Sequence, residues 1–168
     1  TPTPLPNAPP EKVGPTNPSG AAPSISGHII DVKVDQETGK IDVVKCTIFQ
    51  DVGTAIHPSY VEGQMQGGTV QGIGWALNEE YFYNEDSYEM ANPTFLDYRM
   101  PLALDLPMIN TEIIEVPNPA HPFGVRGVGE ASITSPPAAI ANAIYRITGI
   151  RVNQLPIKPN LLLESIKK

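Results

Sequence analysis

Between Pro58 and Tyr81, Gly63, Gly67, Gly68, Gly72 and Gly74 interrupt a stretch whose apolar residues Val61, Met65, Ile73 and Leu77 recur at near-helical spacing. Each glycine costs a helix interior about 1 kcal/mol relative to alanine. A helix over this span therefore forms only where tertiary contacts compensate. Gln64 and Gln71 point from one face, and Gly67 and Gly68 leave the surface between them nearly bare. Such a face suits close packing by another backbone, or a flat polar ligand that needs amide donors and acceptors; residue types alone leave both readings open. His57-Pro58-Ser59 precedes the span, with Ser59 or the residues before it as candidate caps.

A second glycine-rich stretch, Pro122 to Ser132, carries Gly124, Gly127 and Gly129 directly before one carboxylate, Glu130. Glycine leaves the backbone free to take positive φ or to approach a ligand closely. The same residues also make a tight surface turn with a solvated glutamate. Downstream, Thr134-Ser135-Pro136-Pro137 has the form of a cap followed by prolines at the first helical positions, where a missing N–H costs nothing. The predicted helix runs to Thr148, with Ile140, Ala143, Ile144 and Ile147 on its apolar face and Gly149 at the C-cap. Glu130 thus lies just upstream of a helix N-terminus, whose partial positive charge favours a carboxylate nearby.

The remaining elements follow from period and punctuation. Ile30, Val32 and Val34 alternate with charged residues as in a half-buried strand, and Asp35 to Lys40 supplies the reversal into a second strand, Ile41 to Phe49. That strand ends in Gln50-Asp51-Val52-Gly53, placed to project polar groups into a site, with an Asx-turn as the favoured role for Asp51. Asn78 to Met90 reads as an aromatic strand edge or hairpin turning at Asn84 to Ser87, and Asn92 to Pro107 as an irregular covering segment. Thr111 to Val116 is a short strand, and Asn160 to Ile166 a terminal helix. Mixed strands, hairpins and helices make the fold class α+β.

Eight of the 19 prolines precede Ser24, and few large apolar residues accompany them. Residues 1–23 are therefore expected to form an extended arm or linker beside a preceding piece of polypeptide. A net charge of −7 with no basic stripe argues against nucleic acid as a partner. No run approaches the roughly 20 apolar residues of a bilayer span. The lone cysteine, Cys46, has no Cys or His at metal-ligand spacing; no metal ligand is expected, and a buried, reduced thiol fits a cytoplasmic setting.

Taken jointly, Asp51-Val52-Gly53 with Ile56-His57-Pro58, Val61-Glu62-Gly63-Gln64 through Val70-Gln71-Gly72-Ile73-Gly74, Asp97-Tyr98-Arg99, Gly127-Val128-Gly129-Glu130 and Ala139 to Tyr145 carry a resemblance. From about His28 to Leu163 the chain resembles the C-terminal part of the molybdopterin-binding subunit of the xanthine dehydrogenase and aldehyde oxidase (molybdenum hydroxylase) family. The resemblance implies that residues 24–168 are the C-terminal portion of a larger molybdopterin-binding domain. It also implies that Glu130 is the general base in hydroxylation of an aldehyde or electron-poor N-heterocycle by water-derived oxygen, and that Gln64, with Gly63 and Gly129, contacts the pterin.

The molybdenum-pterin cofactor would be shared with an upstream polypeptide. Iron-sulfur clusters and FAD would lie on partner domains or subunits, since no cysteine pattern or flavin segment for them is present here. Compared with the family, Arg126 stands where many members have Lys, His57 where Asn is common, and Ala131-Ser132 replaces a frequent Pro-Pro, which implies a looser start to the following helix. The alternative reading is a noncatalytic assembly or partner-docking module in which Glu130 is structural.

Overall fold

A computed structural model describes residues 23–166; most of the Pro-rich arm expected over residues 1–23 lies outside these. Among the described residues three strands and three α-helices follow in the order β1 (Ile25–Val34), β2 (Ile41–Asp51), α1 (Pro58–Leu77), β3 (Ile109–Ile114), α2 (Pro136–Thr148) and α3 (Pro159–Ile166). This is the α+β class expected. The β1–β2 hairpin is antiparallel, and β3 joins the other edge of β2 in parallel, giving the order β1-β2-β3. A parallel neighbour requires a crossover, which α1 and the segment after it provide.

A β-bulge in the hairpin decides which side chains face inward. Asp31 pairs with Lys45 but Val32 pairs with Val43, so Val44 is an extra residue on β2. The extra residue shifts the two-residue alternation by one. Val43 therefore shares the buried face with Cys46, Ile48 and Gln50, while Val44 is exposed. On β1 the inward set is Ser26, His28, Ile30, Val32 and Val34. Ile30, Val43, Cys46 and Ile48 of the hairpin join Met65, Ile73 and Ala76 of α1, Ile140 and Ile144 of α2, and Ile157 and Leu162 near α3 in one core. Burial pushes the Cys46 thiol up to about 11, so it stays a protonated core residue.

Helix α1 ends at Leu77 rather than Tyr81; the Asn78 and Glu79 amides both donate to the Gly74 carbonyl, at 2.8 Å each. Its N-cap is His57, whose side chain makes no capping bond and instead stacks on Tyr60 with ring centroids 3.9 Å apart. Three of its glycines are required by close neighbours. A Cβ at Gly68 would overlap the Ser132 hydroxyl, one at Gly72 would meet the Pro136 ring and the Ile133 carbonyl, and one at Gly74 would strike Glu79 and Pro101. Gly63 and Gly67 have open space around them. Of the two readings of the glycine face, packing by another backbone accounts for Gly68 and Gly72.

The β3 strand begins and ends two residues earlier than the sequence suggests, because Ile109 pairs with Cys46 and is buried with it. Between α1 and β3 the chain makes the expected aromatic turn, with a single bridge between Tyr83 and Met90 and the Asn84 carboxamide accepting from the Asp86 and Ser87 amides. Helix α2 matches expectation at both ends, Gly149 taking φ +73° at the C-cap. Only Ile140 and Ile144 of its apolar face are buried; Ile147 is exposed.

Gly72→Ala is expected to lower stability by about 1–3 kcal/mol despite the better helix propensity of alanine, because the Ile133 carbonyl and Pro136 ring cannot both retreat. Urea unfolding of the purified protein measures it; an unchanged midpoint would mean that the 133–136 backbone is not held against α1.

Candidate functional site

Asp51 organises the end of β2. Its Oδ1 accepts from the Gly53 and Val116 amides at 3.0 and 3.1 Å, and its Oδ2 pairs with Arg126 Nε at 3.1 Å, both side chains being largely buried. The Asx-turn expected for Asp51 is thus present, with the second function of an ion pair. Gly53 follows at φ +71°, and a Cβ there would collide with the Gly124 carbonyl and the backbone of Val125 and Arg126. Only glycine lets the 124–126 strand of loop lie this close. Arg126 also donates to the Val116 carbonyl at 3.3 Å and, through Nη1, to the Pro23 carbonyl at 3.0 Å. The guanidinium holds Nε, which faces Asp51 and Val116, and Nη1, which faces Pro23, in one fixed plane, an arrangement a lysine ammonium does not offer.

This bracket delivers the chain to Gly127. Of the three glycines in the stretch, Gly124 alone takes positive φ, at +68°. Gly129 lies against α1: a Cβ on it would stand 3.2 Å from Gln64 Oε1. The amide of α1 and the turn carrying Glu130 are therefore side by side. Glu130 itself is exposed and lines an open depression of about 470 Å³ with Ser24, Gly127, Val128, Gly129 and Ala131. A second hollow of about 220 Å³ lies on the other side of Val128, between Gln64, Tyr60, Val52 and Arg126. Gly63 and Gln64 are exposed on α1. Gln71 lines a different hollow, with Trp75, Glu79 and Tyr98, so the two glutamines do not converge.

Gln50 corrects the expectation that the end of β2 projects polar groups into a site. It is fully buried, and its Nε2 donates to the Val128 carbonyl at 3.0 Å. The start of the segment after Glu130 is not loose either. Ala131 to Ile133 forms a 3₁₀ turn. The Ala131 carbonyl accepts the Ser26 and Thr134 hydroxyls at 2.6 and 2.9 Å, and Ser132 is fully buried against Gly68. Ser26, Gln50 and Ser132 are supports that the sequence did not reveal, since isolated polar residues in strands and turns carry no pattern.

His28 is another such residue. Thr69 donates its proton to the Met65 carbonyl at 2.7 Å, so its oxygen accepts from His28 Nε2–H at 2.8 Å. Nδ1 is left as the acceptor for the Ser135 hydroxyl at 2.7 Å. Ser135 thereby spends its hydroxyl on His28 and makes no capping bond to its own helix. One neutral imidazole ties β1 to α1 and to the start of α2. Among the described residues no group of three or more His, Cys, Asp or Glu is placed to hold a metal ion, and no helix is long and apolar enough to cross a membrane.

An exposed amide on a glycine-faced helix thus lies against a carboxylate-bearing turn. Residues 7–107 match the sequence pattern of the molybdopterin cofactor-binding domain family, and the chain belongs to that family. The matched span starts within the Pro-rich stretch, includes Gln64 and ends before Glu130. The chain is 36% identical over 149 residues to the xanthine dehydrogenase molybdenum-binding subunit of Escherichia coli O157:H7, covering 89% of this chain and 19% of that protein. It is 38% identical over 138 residues to an aldehyde oxidoreductase of Megalodesulfovibrio gigas, covering 82% of this chain and 15% of the relative. Among solved structures, quinoline 2-oxidoreductase from Pseudomonas putida 86 superposes with a TM-score of 0.75 at 35% identity, over 82% of this chain and 18% of that one. The chain thus spans less than a fifth of the length of these proteins.

Burial lowers the His28 imidazole to about 4, from 6.5 in the free side chain. Between those values the unfolded chain takes up a proton that the folded one resists. The contribution of His28 to stability is therefore full above about pH 6.5 and is lost as pH falls toward 4. The urea midpoint of a His28→Asn variant is expected to fall less steeply than that of the parent across this window; parallel curves would remove His28 from the account.

Proposed function

We propose that this chain completes the active site of a molybdenum hydroxylase, with Glu130 as general base and Gln64, flanked by Gly63 and facing Gly129, as a pterin contact. The observation that carries the reading is the juxtaposition of Gln64 Oε1 with Gly129, at 3.2 Å from where a Cβ would stand. It brings the residue proposed for cofactor contact against the sequence neighbour of the residue proposed for proton transfer. The fit of a pterin rests on the open space over Gly63 and Gly67, which admits a flat group to the helix backbone, and on the exposed Gln64 amide, which offers both a donor and an acceptor to its edge.

When bound, the molybdenum-pterin group would supply the electron sink and the oxygen-transfer centre. The work of this chain is to hold a carboxylate ready to take a proton. Glu130 stands at the lip of the depression it shares with Ser24 and Gly127. Among the described residues neither a hydrogen bond nor an ion pair engages its carboxylate, so both oxygens are free to accept. Its efficiency depends on reaching the proton within hydrogen-bond distance, which makes the geometry of the Val128–Ala131 turn decisive. The substrate class follows from the chemistry: an aldehyde or electron-poor N-heterocycle offers the electrophilic carbon. The similarity to a xanthine dehydrogenase subunit, an aldehyde oxidoreductase and a quinoline 2-oxidoreductase supports that class. The rest of the cofactor cradle would come from upstream polypeptide, and electrons would leave through iron-sulfur clusters and FAD on partner domains or subunits. A cytoplasmic location agrees with the buried, free Cys46.

Replacing Glu130 with Gln keeps size and removes basicity. In the assembled, molybdenum-loaded protein, kcat is expected to fall by about two to four orders of magnitude with molybdenum content unchanged. Unimpaired turnover would return the chain to the reading of a noncatalytic assembly module.

A further inference from the structure

Ser26 and Gln50 are direct partners across the β1–β2 ladder, and directly opposed residues of an antiparallel pair project from the same face of the sheet. From that shared position they reach two carbonyls of one turn. The Ser26 hydroxyl donates to Ala131 O at 2.6 Å and the Gln50 amide donates to Val128 O at 3.0 Å. The residues between those carbonyls are Gly129 and Glu130. We propose that the Ser26–Gln50 cross-strand pair is a two-point clamp that positions the Glu130 carboxylate, an inference that rests on the reading of Glu130 as the base.

The chemistry of the pair favours a positioning role over simple filling of space. Holding the first and last carbonyls of a four-residue turn fixes both outer peptide planes. The backbone freedom left between those planes lies at Gly129, Glu130 and Ala131, and Gln64 lies against Gly129 on the helix side. Gln50 is fully buried, and its amide orientation is set because Val128 O requires an N–H. The second Nε2 proton points toward Ser24 Oγ, 3.4 Å away. Its Oε1 is buried with no partner among the described residues. An apolar side chain would fill the same space without an orphaned acceptor, so the amide is retained for what its N–H group holds. Thr134 also donates to Ala131 O, but from the adjoining 3₁₀ turn; among the described residues Ser26 and Gln50 tie the turn to the sheet through their side chains. Ser26 and Gln50 touch neither substrate nor cofactor in this scheme and act through Glu130 alone.

The test uses the assembled, molybdenum-loaded protein carrying Ser26→Ala, Gln50→Met, both together, or Ser26→Thr, each with Glu130 and with Glu130→Gln. Ser26→Ala removes one hydroxyl from a half-buried strand position, and Ser26→Thr restores it. With Glu130 present, Ser26→Ala is expected to lower kcat about tenfold with KM and molybdenum content unchanged, and Ser26→Thr to recover it. In the Glu130→Gln background the same change should leave the residual rate unaltered, because the group being positioned is gone. Equal losses in both backgrounds would overturn the clamp as a positioning device and make the pair merely structural. Backbone amide exchange over residues 127–134, read by mass spectrometry, is independent of turnover. It should accelerate about tenfold in the double variant as the turn opens locally, and unchanged exchange would overturn the proposal. If Glu130→Gln keeps full turnover, the base assignment fails by itself, while exchange still decides whether the clamp exists.

Discussion

The close seating of the 129–136 backbone on α1 is the contact on which the arrangement depends. Gly68 and Gly72 remove the side chains that would hold the two segments apart, and Ser132, Ile133 and Pro136 occupy the space released. Closely packed interiors transmit such constraints because neighbours cannot retreat independently. The weak intrinsic propensity of a glycine-rich helix is offset by that packing, and by Met65, Ile73 and Ala76 in the common core. The same contact sets the distance between Gln64 and Gly129. Helix stability and site geometry thus share one physical origin.

Polar groups do the finer positioning. The Asp51–Arg126 bracket turns the chain at the end of β2 and feeds it toward Gly127. Ser26 and Gln50 then hold the turn from the sheet side, and His28 ties the same strand to Thr69 and Ser135. These residues occupy the end of the hairpin face whose other end is apolar, from Ile30 to Val43 and Cys46. Along β1 and β2 the buried face therefore changes from core to scaffold for a loop. Buried hydrogen bonds of this kind add modest net stability but specify one arrangement, since leaving any member unpaired is costly.

Membership of the molybdopterin cofactor-binding domain family agrees with this division of labour. The chain spans less than a fifth of the length of these relatives, and it carries apolar side chains on its surface. Phe95, Leu96 and Leu104 are each about nine-tenths exposed or more. They lie in the irregular segment between α1 and β3, beside Tyr98, whose hydroxyl donates to Glu79 at 2.8 Å.

The hairpin, the glycine-rich helix, the proline-started α2 with its glycine C-cap, and the two stretches carrying Gln64 and Glu130 were legible in the sequence. Each is written in local periodicity or in residues with special backbone chemistry. Helix and strand ends moved by two to four residues where long-range pairing took over, as at Ile109 opposite Cys46. The bulge at Val44, the burial of Gln50, the spending of the Ser135 hydroxyl on His28 and the meeting of Gln64 with Gly129 were decided only by the tertiary structure. A serine, glutamine or histidine acquires its role from a partner up to about a hundred residues away, such as Ala131 for Ser26, and no local pattern encodes which partner will arrive.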